Sequence, residues 1–284
     1  MTATFKVACV QNGATADMDA SLAEATALAR AARAEGAELI CLPEYVSCLE
    51  VIDDLLISTP HAEAAHPALP RFAALARELG AWLLVGSLAV TVESGKVVNR
   101  SYLLDQEGRI TARYDKIHLF DVQLGGGEVY RESATVEPGD RAVLAETPWG
   151  PLGMTVCYDL RFPQLYHALA KAGALYLAVP AAFTKTTGQA HWHVLQRARA
   201  IETGCYVFAP CQYGDHGVGK ASFGHSLIVD PWGRVLADGG EGPGVITAEV
   251  DPAAVAEARR KIPALEHARP FAPPVPPARV AAAS

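Results

Sequence analysis

The feature that most constrains the fold of this chain is a strand-helix-strand pattern that occurs twice. Each copy begins with an apolar segment of strand length, continues with a helix that ends at a glycine, and closes with a second strand followed by a proline. Parallel strands joined by a helix place ligand sites at the carboxyl ends of the strands. The predicted strands cover residues 5–11, 38–42, 152–156 and 175–179, and the predicted helices cover residues 17–35 and 163–172.

The second copy repeats letters of the first as well as its pattern. Residues 36–43 (GAELICLP) align without a gap with residues 173–180 (GALYLAVP). An internal duplication explains this match, and so does the common use of glycine at helix ends and of proline after strands. Under either explanation, Glu44 and Cys157 lie at the carboxyl ends of predicted strands.

The segment between the two copies predicts antiparallel strands. Apolar and polar residues alternate there in three runs, which are separated by the turn sequences ESG at 93–95 and QEG at 106–108. The whole pattern predicts an α/β fold with two mixed sheets covered by helices. The remaining predicted strands cover residues 82–90, 97–105, 109–114, 205–210, 226–230, 234–237 and 244–250, and a further helix covers residues 189–203.

No linker-like stretch divides the 284 residues, half of which are apolar. We expect a single domain over residues 1–271 and a proline-rich tail over residues 272–284. Six prolines from Pro263 onward predict that this end forms neither a helix nor a central strand. It is either a disordered tail or an extended arm that lies on the body or on a partner subunit.

The composition excludes several classes of partner. A net charge of −7 and a pI of about 5.7, with no Lys/Arg-rich stretch, give no electrostatic footprint for nucleic acid. No apolar run approaches the roughly 18 residues that span a bilayer, and the N-terminus lacks the features of a signal peptide. We therefore expect a soluble cytoplasmic protein without nucleic-acid or membrane partners. The six cysteines are scattered, and we expect most of them to be reduced and buried.

Cys157 is a candidate nucleophile. It follows the apolar strand at residues 152–156 and precedes the segment YDLRFP, where a helix is predicted to begin. A thiol on such a turn points out of the sheet, near N–H groups that favour a thiolate and a developing oxyanion. A base and a cation are needed beside it.

Two residues compete as the base for this thiol. Glu44 follows a strand and a proline, where a carboxylate is well placed for general-base catalysis. His118 is the alternative, as in thiol enzymes of the Cys-His type, and the residue types leave the choice open. Lys116, on the same strand face as His118 if the strand continues, would lower the pKa of the thiol and donate to the oxyanion. Glu132 is a candidate to hold Lys116 by a charge-assisted hydrogen bond.

Metal ligation is not predicted. His191 and His193 are two residues apart on a predicted helix and therefore point apart, and the pair His61 and His66 lacks the spacing of helical zinc ligands. No CxxC occurs. The run GGG at 125–127 has no phosphate-binding pattern and is interpreted as a flexible turn.

Three segments together resemble the signatures of the nitrilase superfamily of carbon-nitrogen hydrolases. They are LPEY at 42–45, YDKIHLF at 114–120 and VCYDLRFP at 156–163, in the order and at the spacing of that family. The resemblance covers the chain up to about Phe271. It implies a four-layer α-β-β-α sandwich whose subunits pair through helices near the nucleophile, so a homodimer or a higher homo-oligomer is expected.

The resemblance also implies roles for the candidate residues. Glu44, Lys116 and Cys157 become a catalytic triad, Glu132 becomes the additional glutamate of the site, and His118 returns to a supporting role. No cofactor is implied. The expected substrate-binding residues are Tyr45, Tyr158, Arg161, Phe183 and Thr184. The cations nearest in sequence for a substrate carboxylate are Arg161, Lys185 and Arg197.

Further segments are similar to the nitrilase-1-like amidases that act on deaminated glutathione. They are AHWH at 190–193, RARAIET at 197–203, SFGHS at 222–226 and DPWG at 230–233. The glycine run and the proline-rich tail depart from that pattern.

The implied activity is hydrolysis of an amide bond in a small carboxylated substrate through a thioester on Cys157, with release of ammonia. The alternatives are an omega-amidase acting on 2-oxoglutaramate and another branch of the family, such as a nitrilase or an N-carbamoyl amidohydrolase. Two rivals come from different classes: a non-catalytic relative that binds a small molecule, and a metal-dependent hydrolase.

Overall fold

The computed structural model describes residues 3–52, 55–57, 59–124, 128–217 and 220–274. The glycine turn expected at 125–127 and residues 275–284 of the expected tail lie outside the described residues. The strands are β1 (Phe5–Gln11), β2 (Leu39–Cys41), β3 (Glu50–Ile52), β4 (Leu55–Ile57), β5 (His61–Ala62), β6 (Trp82–Thr91), β7 (Val97–Leu104), β8 (Ile110–Asp115), β9 (Asp121–Gln123), β10 (Val129–Arg131), β11 (Val143–Ala145), β12 (Leu152–Met154), β13 (Tyr176–Ala178), β14 (Tyr206–Ala209), β15 (Tyr213–Asp215), β16 (Ala221–Phe223), β17 (Leu227–Val229), β18 (Val235–Asp238) and β19 (Gly244–Val250).

Helices connect these strands. The α-helices are α1 (Met18–Ala34), α2 (Ala68–Leu79), α3 (Pro163–Lys171), α4 (Lys185–Thr187), α5 (His193–Thr203), α6 (Ala253–Lys261) and α7 (Ala264–His267). Short 3-10 helices cover Glu63–Ala65, Glu132–Ala134 and Cys157–Arg161, and a π-helical turn, Gly188–Trp192, precedes α5.

The two strand-helix-strand units lie in two different sheets, and the predicted pair of mixed sheets is confirmed. In the first sheet the strand order is β19-β1-β2-β6-β7-β8, and β1 and β2 are parallel. In the second sheet the order is β11-β12-β13-β14-β17-β18, and β12, β13 and β14 are parallel. The predicted antiparallel run β6-β7-β8 is confirmed.

Alternating side chains of β1 show how the layers stack. Val7 and Cys9 belong to a buried cluster shared with the second sheet, whereas Ala8 and Val10 pack in a cluster with α1 and α2. Helices α3 and α5 contact the outer face of the second sheet. The order of layers is therefore α-β-β-α, which confirms the expected sandwich of two mixed sheets. The boundary of the domain at residue 271 stays a prediction.

The carboxyl end of the chain corrects one prediction. Pro263 and the later prolines were expected to exclude a helix, yet α7 forms between Pro263 and Pro270. A proline is tolerated where a helix begins because its missing N–H has no helical partner there, and residues 264–267 contain no proline. The sequence pattern also left α2 and α6 unassigned.

No helix in the described part of the chain is both long and apolar enough to cross a lipid bilayer.

Candidate active site

Three strand ends bring the candidate residues together. Glu44 follows β2, Cys157 follows β12, and Lys116 follows β8 directly. The backbones of Tyr45 and Cys157 adopt left-handed conformations, with φ of 51° and 48°. Such conformations are costly for residues other than glycine and occur where surrounding contacts enforce them. Here the Tyr45 N–H donates to Ser87 Oγ at 2.9 Å, and the Cys157 N–H donates to Pro180 O at 2.9 Å.

A glycine in β6 allows the segment before Glu44 to take its position. A Cβ atom on Gly86 would lie 2.1 Å from Leu42 O and 2.4 Å from Pro43 O, closer than any side chain permits. The pairing of β6 with β7 is irregular at this point, between Val85 and Leu88. A β-strand glycine at a close backbone approach is a recurrent device beside functional sites.

Lys116 joins the two glutamates. Its Nζ lies 3.0 Å from Glu44 Oε1 and 3.0 and 2.9 Å from the two carboxylate oxygens of Glu132. All three side chains are at least 94% buried, with exposed fractions of 2% for Lys116, 2% for Glu44 and 6% for Glu132. Breaking one such buried ion pair typically costs about 3–5 kcal/mol, because the remaining charge is left without a partner.

The free oxygens of both glutamates are held by backbone N–H groups. Ala182 N donates to Glu44 Oε2 at 2.7 Å, and Phe120 N donates to Glu132 Oε2 at 2.6 Å. Ala182 follows β13 in the second sheet. The Glu44 carboxylate, carried by the first sheet, is therefore fixed by both sheets.

Asn99, which was not among the predicted site residues, lies in the interior of β7 and is 1% exposed. Its Nδ2 donates to Glu44 Oε1 at 2.8 Å and approaches Glu132 Oε1 at 3.4 Å, and its carbonyl accepts from Lys116 N at 2.9 Å. Within the described residues, its Oδ1 makes no hydrogen bond. The available signal was a strand-disfavoured amide within a predicted strand, since a buried polar side chain needs partners.

The charges around Lys116 keep it protonated. Burial alone would lower its pKa, but the negative charges of Glu132 and Glu44 outweigh burial and raise the pKa well above its usual value. Lys116 therefore carries a fixed positive charge next to Cys157.

The pKa of the Cys157 thiol is raised, whereas its position on the turn predicted a lowered pKa. Burial raises its pKa well above the usual value, the negative charge of Glu44 raises it further, and Lys116 only partly offsets both. The expectation of a thiolate favoured by the helix start was wrong for the free site. The helix that begins at Cys157 is a 3-10 helix of five residues, and α3 begins only at Pro163.

His118 is not brought to the thiol as a base. The strand ends at Asp115, so Lys116 and His118 do not share a strand face as expected. The Nδ1 atom of His118 lies 2.7 Å from Asp159 Oδ1, and its ring stacks on Phe162 with centroids 3.6 Å apart. His118 is also absent from the residues that line the cavity at Cys157.

Asp159 connects the Cys157 turn to the Lys116 loop. Its fully buried carboxylate accepts from the Tyr114 hydroxyl at 2.6 Å, from Val156 N at 2.9 Å and from His118 N at 3.1 Å. A buried carboxylate with several donors locks the geometry of the segments that supply them. His118 thus supports the position of the turn.

A cavity opens onto the cluster of Glu44, Lys116, Glu132 and Cys157. Three of the five expected substrate-binding residues line it, namely Tyr158, Phe183 and Thr184. The other lining residues are Phe120, Tyr130, Arg131, Ala182 and Thr187. Tyr45 is buried and does not line the cavity. Burial and the Glu132 carboxylate raise the pKa of its phenol and keep it neutral. Within the described residues, the backbone N–H of Tyr158 has no hydrogen-bond partner.

The three cations predicted for a substrate carboxylate, Arg161, Lys185 and Arg197, do not line the cavity. Arg161 does not line the cavity, but its guanidinium lies over the lining ring of Phe183 at 5.4 Å. Lys185 pairs with Glu241 at 3.7 Å, and Arg197 donates to Gly233 O at 2.8 Å, outside the cavity lining. Arg131, which the sequence analysis passed over, is the arginine in the lining and forms no ion pair with a described residue.

This arrangement can perform acyl transfer. A thiol stands beside a carboxylate that can take its proton, and a permanently charged ammonium is available for a developing oxyanion. The residues that sequence reasoning named as catalytic are thus brought into contact across two sheets.

The chain is similar to known proteins along most of its length. The profile of the Carbon-nitrogen hydrolase family matches residues 6–260. A deaminated glutathione amidase of Synechocystis sp. is 41% identical over 268 residues, which are 93% of this chain and 97% of that protein. Omega-amidase NIT2 of Mus musculus is 33% identical over 267 residues, which are 94% of this chain and 95% of that protein.

A solved structure gives the same result for the fold. The NitFhit protein of C. elegans superposes with a TM-score of 0.86 at 33% sequence identity, over 94% of this chain. The match covers 66% of that longer chain.

Proposed function

The chain belongs to the carbon-nitrogen hydrolase family, and from this membership we propose that it hydrolyses the amide bond of deaminated glutathione with Cys157 as the nucleophile. The observation that carries the proposal is the buried contact of Lys116 with Glu44 and Glu132 beside this thiol. The substrate follows from the relatives named deaminated glutathione amidase, which are matched over nearly their whole length.

In the proposed first step, Glu44 takes the proton of the Cys157 thiol as sulfur attacks the amide carbon. Because the pKa of the thiol is raised, the thiolate is generated during attack rather than stored beforehand. The electron pair of the carbonyl moves to its oxygen, where Lys116 Nζ and the backbone N–H of Tyr158 stabilise the negative charge. Glu132 and Asn99 keep the Glu44 carboxylate and the Lys116 ammonium in position.

Collapse of this intermediate breaks the carbon-nitrogen bond. The leaving nitrogen takes the proton from Glu44, and a thioester remains on Cys157. Glu44 then takes a proton from water as the water attacks the thioester, and the thiol is released as the leaving group. A primary amide such as 2-oxoglutaramate would release ammonia. In deaminated glutathione the amide nitrogen belongs to cysteinylglycine, so that dipeptide is the product to measure.

We assign the binding of a substrate carboxylate to Arg131. Its side chain lines the cavity that Glu44, Lys116 and Cys157 share, and it has no ion-pair partner among the described residues. Arg161, the cation favoured by sequence proximity, lies behind Phe183 and Tyr158 and is assigned a supporting role for these rings. Arg131→Gln should raise KM for a carboxylated amide by about tenfold and leave KM for a neutral amide unchanged. Equal effects on both would contradict this assignment.

The test of the function is turnover of deaminated glutathione by the purified protein, followed by mass spectrometry of cysteinylglycine and 2-oxoglutarate. Cys157→Ala should abolish turnover, whereas Cys48→Ala, which removes a buried thiol outside the cavity lining, should preserve it. Intact-mass analysis of the wild-type protein during turnover should show a thioester adduct that Cys157→Ala lacks. An active Cys157→Ala variant would refute the mechanism.

The omega-amidase activity is the second candidate, since NIT2 is also similar along nearly the whole chain. A larger kcat/KM for 2-oxoglutaramate than for deaminated glutathione would favour it. Binding without turnover would favour a non-catalytic relative, and loss of activity on chelation would favour a metal-dependent hydrolase. A cytoplasmic location stays a prediction.

We also propose a homodimer that pairs through α5. Val194 and Ile201 are seven residues apart on this helix and point to the same side, with exposed fractions of 65% and 54%. Trp232 adds a half-exposed ring, next in sequence to Gly233, which lies against Ile201. Large apolar side chains gathered on one outer helix are typical of a subunit interface.

A further inference from the structure

Three side chains that could ligate a metal meet outside the catalytic cavity. His193 begins α5, His225 lies between β16 and β17, and Asp238 ends β18. His193 Nε2 lies 2.9 Å from Asp238 Oδ2, and His225 Nδ1 lies 2.8 Å from Asp238 Oδ1. One ligand atom from each of the three residues lies within 4.8 Å of the other two.

We propose that His193, His225 and Asp238 form a binding site for one zinc-class divalent metal ion. Imidazole nitrogens and a carboxylate oxygen are preferred Zn²⁺ ligands, and in a tetrahedral site their atoms lie about 3.3 Å apart. The two observed nitrogen-oxygen distances are slightly shorter than this. Small side-chain rotations would therefore seat an ion between the three groups, and solvent would take the fourth position.

The backbone that carries His225 is fixed in an unusual conformation. Its φ is 50°, in the left-handed region that histidine seldom adopts. The His225 N–H donates to Gly240 O at 2.6 Å, its carbonyl accepts from Trp192 Nε1 at 2.7 Å, and its ring stacks on Phe223. These contacts hold the ring in place before any ligand arrives, which reduces the cost of ordering the site.

The carboxylate is also prepared for ligation. Each of its oxygens faces a ring nitrogen of one histidine, and Oδ1 also accepts from the Gly240 N–H at 2.9 Å. A hydrogen bond from either ring to this carboxylate places the ring proton on the facing nitrogen, His193 Nε2 or His225 Nδ1. Metal binding requires the proton of each ring to move to its other nitrogen, which solvent exposure permits.

In the sequence, His193 has no second ligand at the spacing of a helical metal site. Here its partners come from two segments that are more than 30 residues away in sequence. None of the three residues lines the catalytic cavity, so the ion takes no part in the proposed hydrolysis. Phe223 links the two regions, because it stacks on His225 while its N–H donates to the carbonyl of Phe183 at 2.8 Å.

The test is equilibrium dialysis of the full-length protein against Zn²⁺, with Cys157→Ala as the background so that the catalytic thiol cannot bind the ion. We expect one zinc ion per chain with a Kd of about 10 µM or tighter. His193→Gln, His225→Asn and Asp238→Asn should each weaken binding by at least about tenfold. His267→Gln, which removes an exposed histidine on α7, should leave binding unchanged.

Loss of binding in a variant must be distinguished from loss of the fold. Asparagine is used at position 225 because it tolerates the left-handed backbone, and circular dichroism checks that each variant folds. With Co²⁺ in place of zinc, the background protein should show the visible absorption bands of tetrahedral cobalt, and the three variants should lose them. Absence of binding at about 100 µM Zn²⁺, or binding that all three variants retain, would reduce the cluster to hydrogen bonds and overturn the proposal.

Discussion

At the scale of single residues, the site combines a protonated thiol with a lysine that keeps its charge. The same carboxylate, Glu44, contributes to both conditions, because it raises the pKa of Cys157 and the pKa of Lys116. A nucleophile held as a thiol resists oxidation and alkylation between turnovers, since the thiolate is the reactive form. In the proposed mechanism, reactivity then depends on proton transfer to Glu44 when a substrate is in place.

Because of this dual role, the alkylation rate of Cys157 and the turnover rate should change in opposite directions when Glu44 is replaced. Glu44→Gln removes the negative charge that raises the pKa of Cys157, so a larger fraction of the thiol is ionised near pH 8. We expect iodoacetamide to alkylate Cys157 faster in this variant, by about threefold to tenfold, although turnover falls by at least about a thousandfold. The measurement is the rate of adduct formation by intact-protein mass spectrometry. Slower alkylation than in the wild type would contradict the assigned electrostatics.

Asn99 provides a test of positioning. Asn99→Ala removes the 2.8 Å hydrogen bond to Glu44 and the weaker approach to Glu132. We expect kcat to fall by about 10- to 100-fold with little change in KM, because the substrate is not contacted. Ser101→Ala is the matched control: it removes a buried hydrogen bond on the same face of β7, to Val85 O, outside the site. Similar kcat losses in both variants would indicate a general effect on the strand.

At the scale of secondary-structure elements, a close approach between two backbone segments controls the position of Glu44. Gly86 is the clearest case, since β6 contacts the carbonyls of Leu42 and Pro43 just before Glu44. Gly86→Ala should displace the end of β2, reduce kcat at least about tenfold and lower the free energy of unfolding by about 3 kcal/mol. Gly242→Ala is the control, because a Cβ there meets no atom within 4 Å. Kinetics and urea unfolding measure both effects, and a wild-type kcat in Gly86→Ala would refute the argument.

The start of α2 has a titratable group. His66 Nδ1 accepts from Ala68 N at 3.2 Å, and burial together with the charge of His61 lowers the pKa of His66 to about 4. Since the unfolded chain binds this proton near pH 6.5, the stability contributed by neutral His66 is complete above that pH and is lost as the pH falls toward 4. We expect a loss of at most about 3 kcal/mol in the free energy of unfolding across this range.

Urea unfolding at several pH values measures this loss. His66→Asn keeps an acceptor for the Ala68 N–H but has no proton to gain, so its stability should vary less between pH 7 and 4. His267→Gln, at an exposed position, should behave like the wild type. An unchanged pH dependence in His66→Asn would show that other groups, such as the buried His216, dominate acid unfolding.

The elements also show what sequence could and could not predict. The strands of both units, the antiparallel run β6-β7-β8 and the location of Glu44 and Cys157 at strand ends follow from local periodicity, which the sequence carries in full. Local periodicity could not predict that Asn99 and Arg131 belong to the site. The proximity of Asn99 to Glu44 depends on the pairing between β7 and β6, and the position of Arg131 at the cavity depends on the course of β10. The pKa of Cys157 was misjudged for the same reason, since burial and the contact with Glu44 arise only when two sheets meet.

At the scale of the whole molecule, the site depends on the packing of one sheet on the other. Glu44 belongs to the first sheet, and its carboxylate and its carbonyl accept from the second half of the chain, from Ala182 N at 2.7 Å and from Gln212 Nε2 at 2.9 Å. A shared apolar core, which contains Val7 of the first sheet and Met154 of the second, holds the two sheets in place. A displacement of the second sheet would therefore move the donors that hold Glu44.

The proposed dimer places a partner on this outer layer, where α5 exposes Val194 and Ile201. Replacing both by glutamate introduces two charges into the proposed interface, and desolvating unpaired charges there would cost several kcal/mol. Size-exclusion chromatography with light scattering should find a dimer for the wild type and a monomer for the double variant. Ala27→Glu with Ala34→Glu is the matched control, because both positions are exposed, seven residues apart and on α1, which covers the other sheet. Since α5 also contacts the 3-10 turn of Cys157, the monomer should lose activity while the control remains a dimer with wild-type turnover. A double variant that stays dimeric would move the interface away from α5.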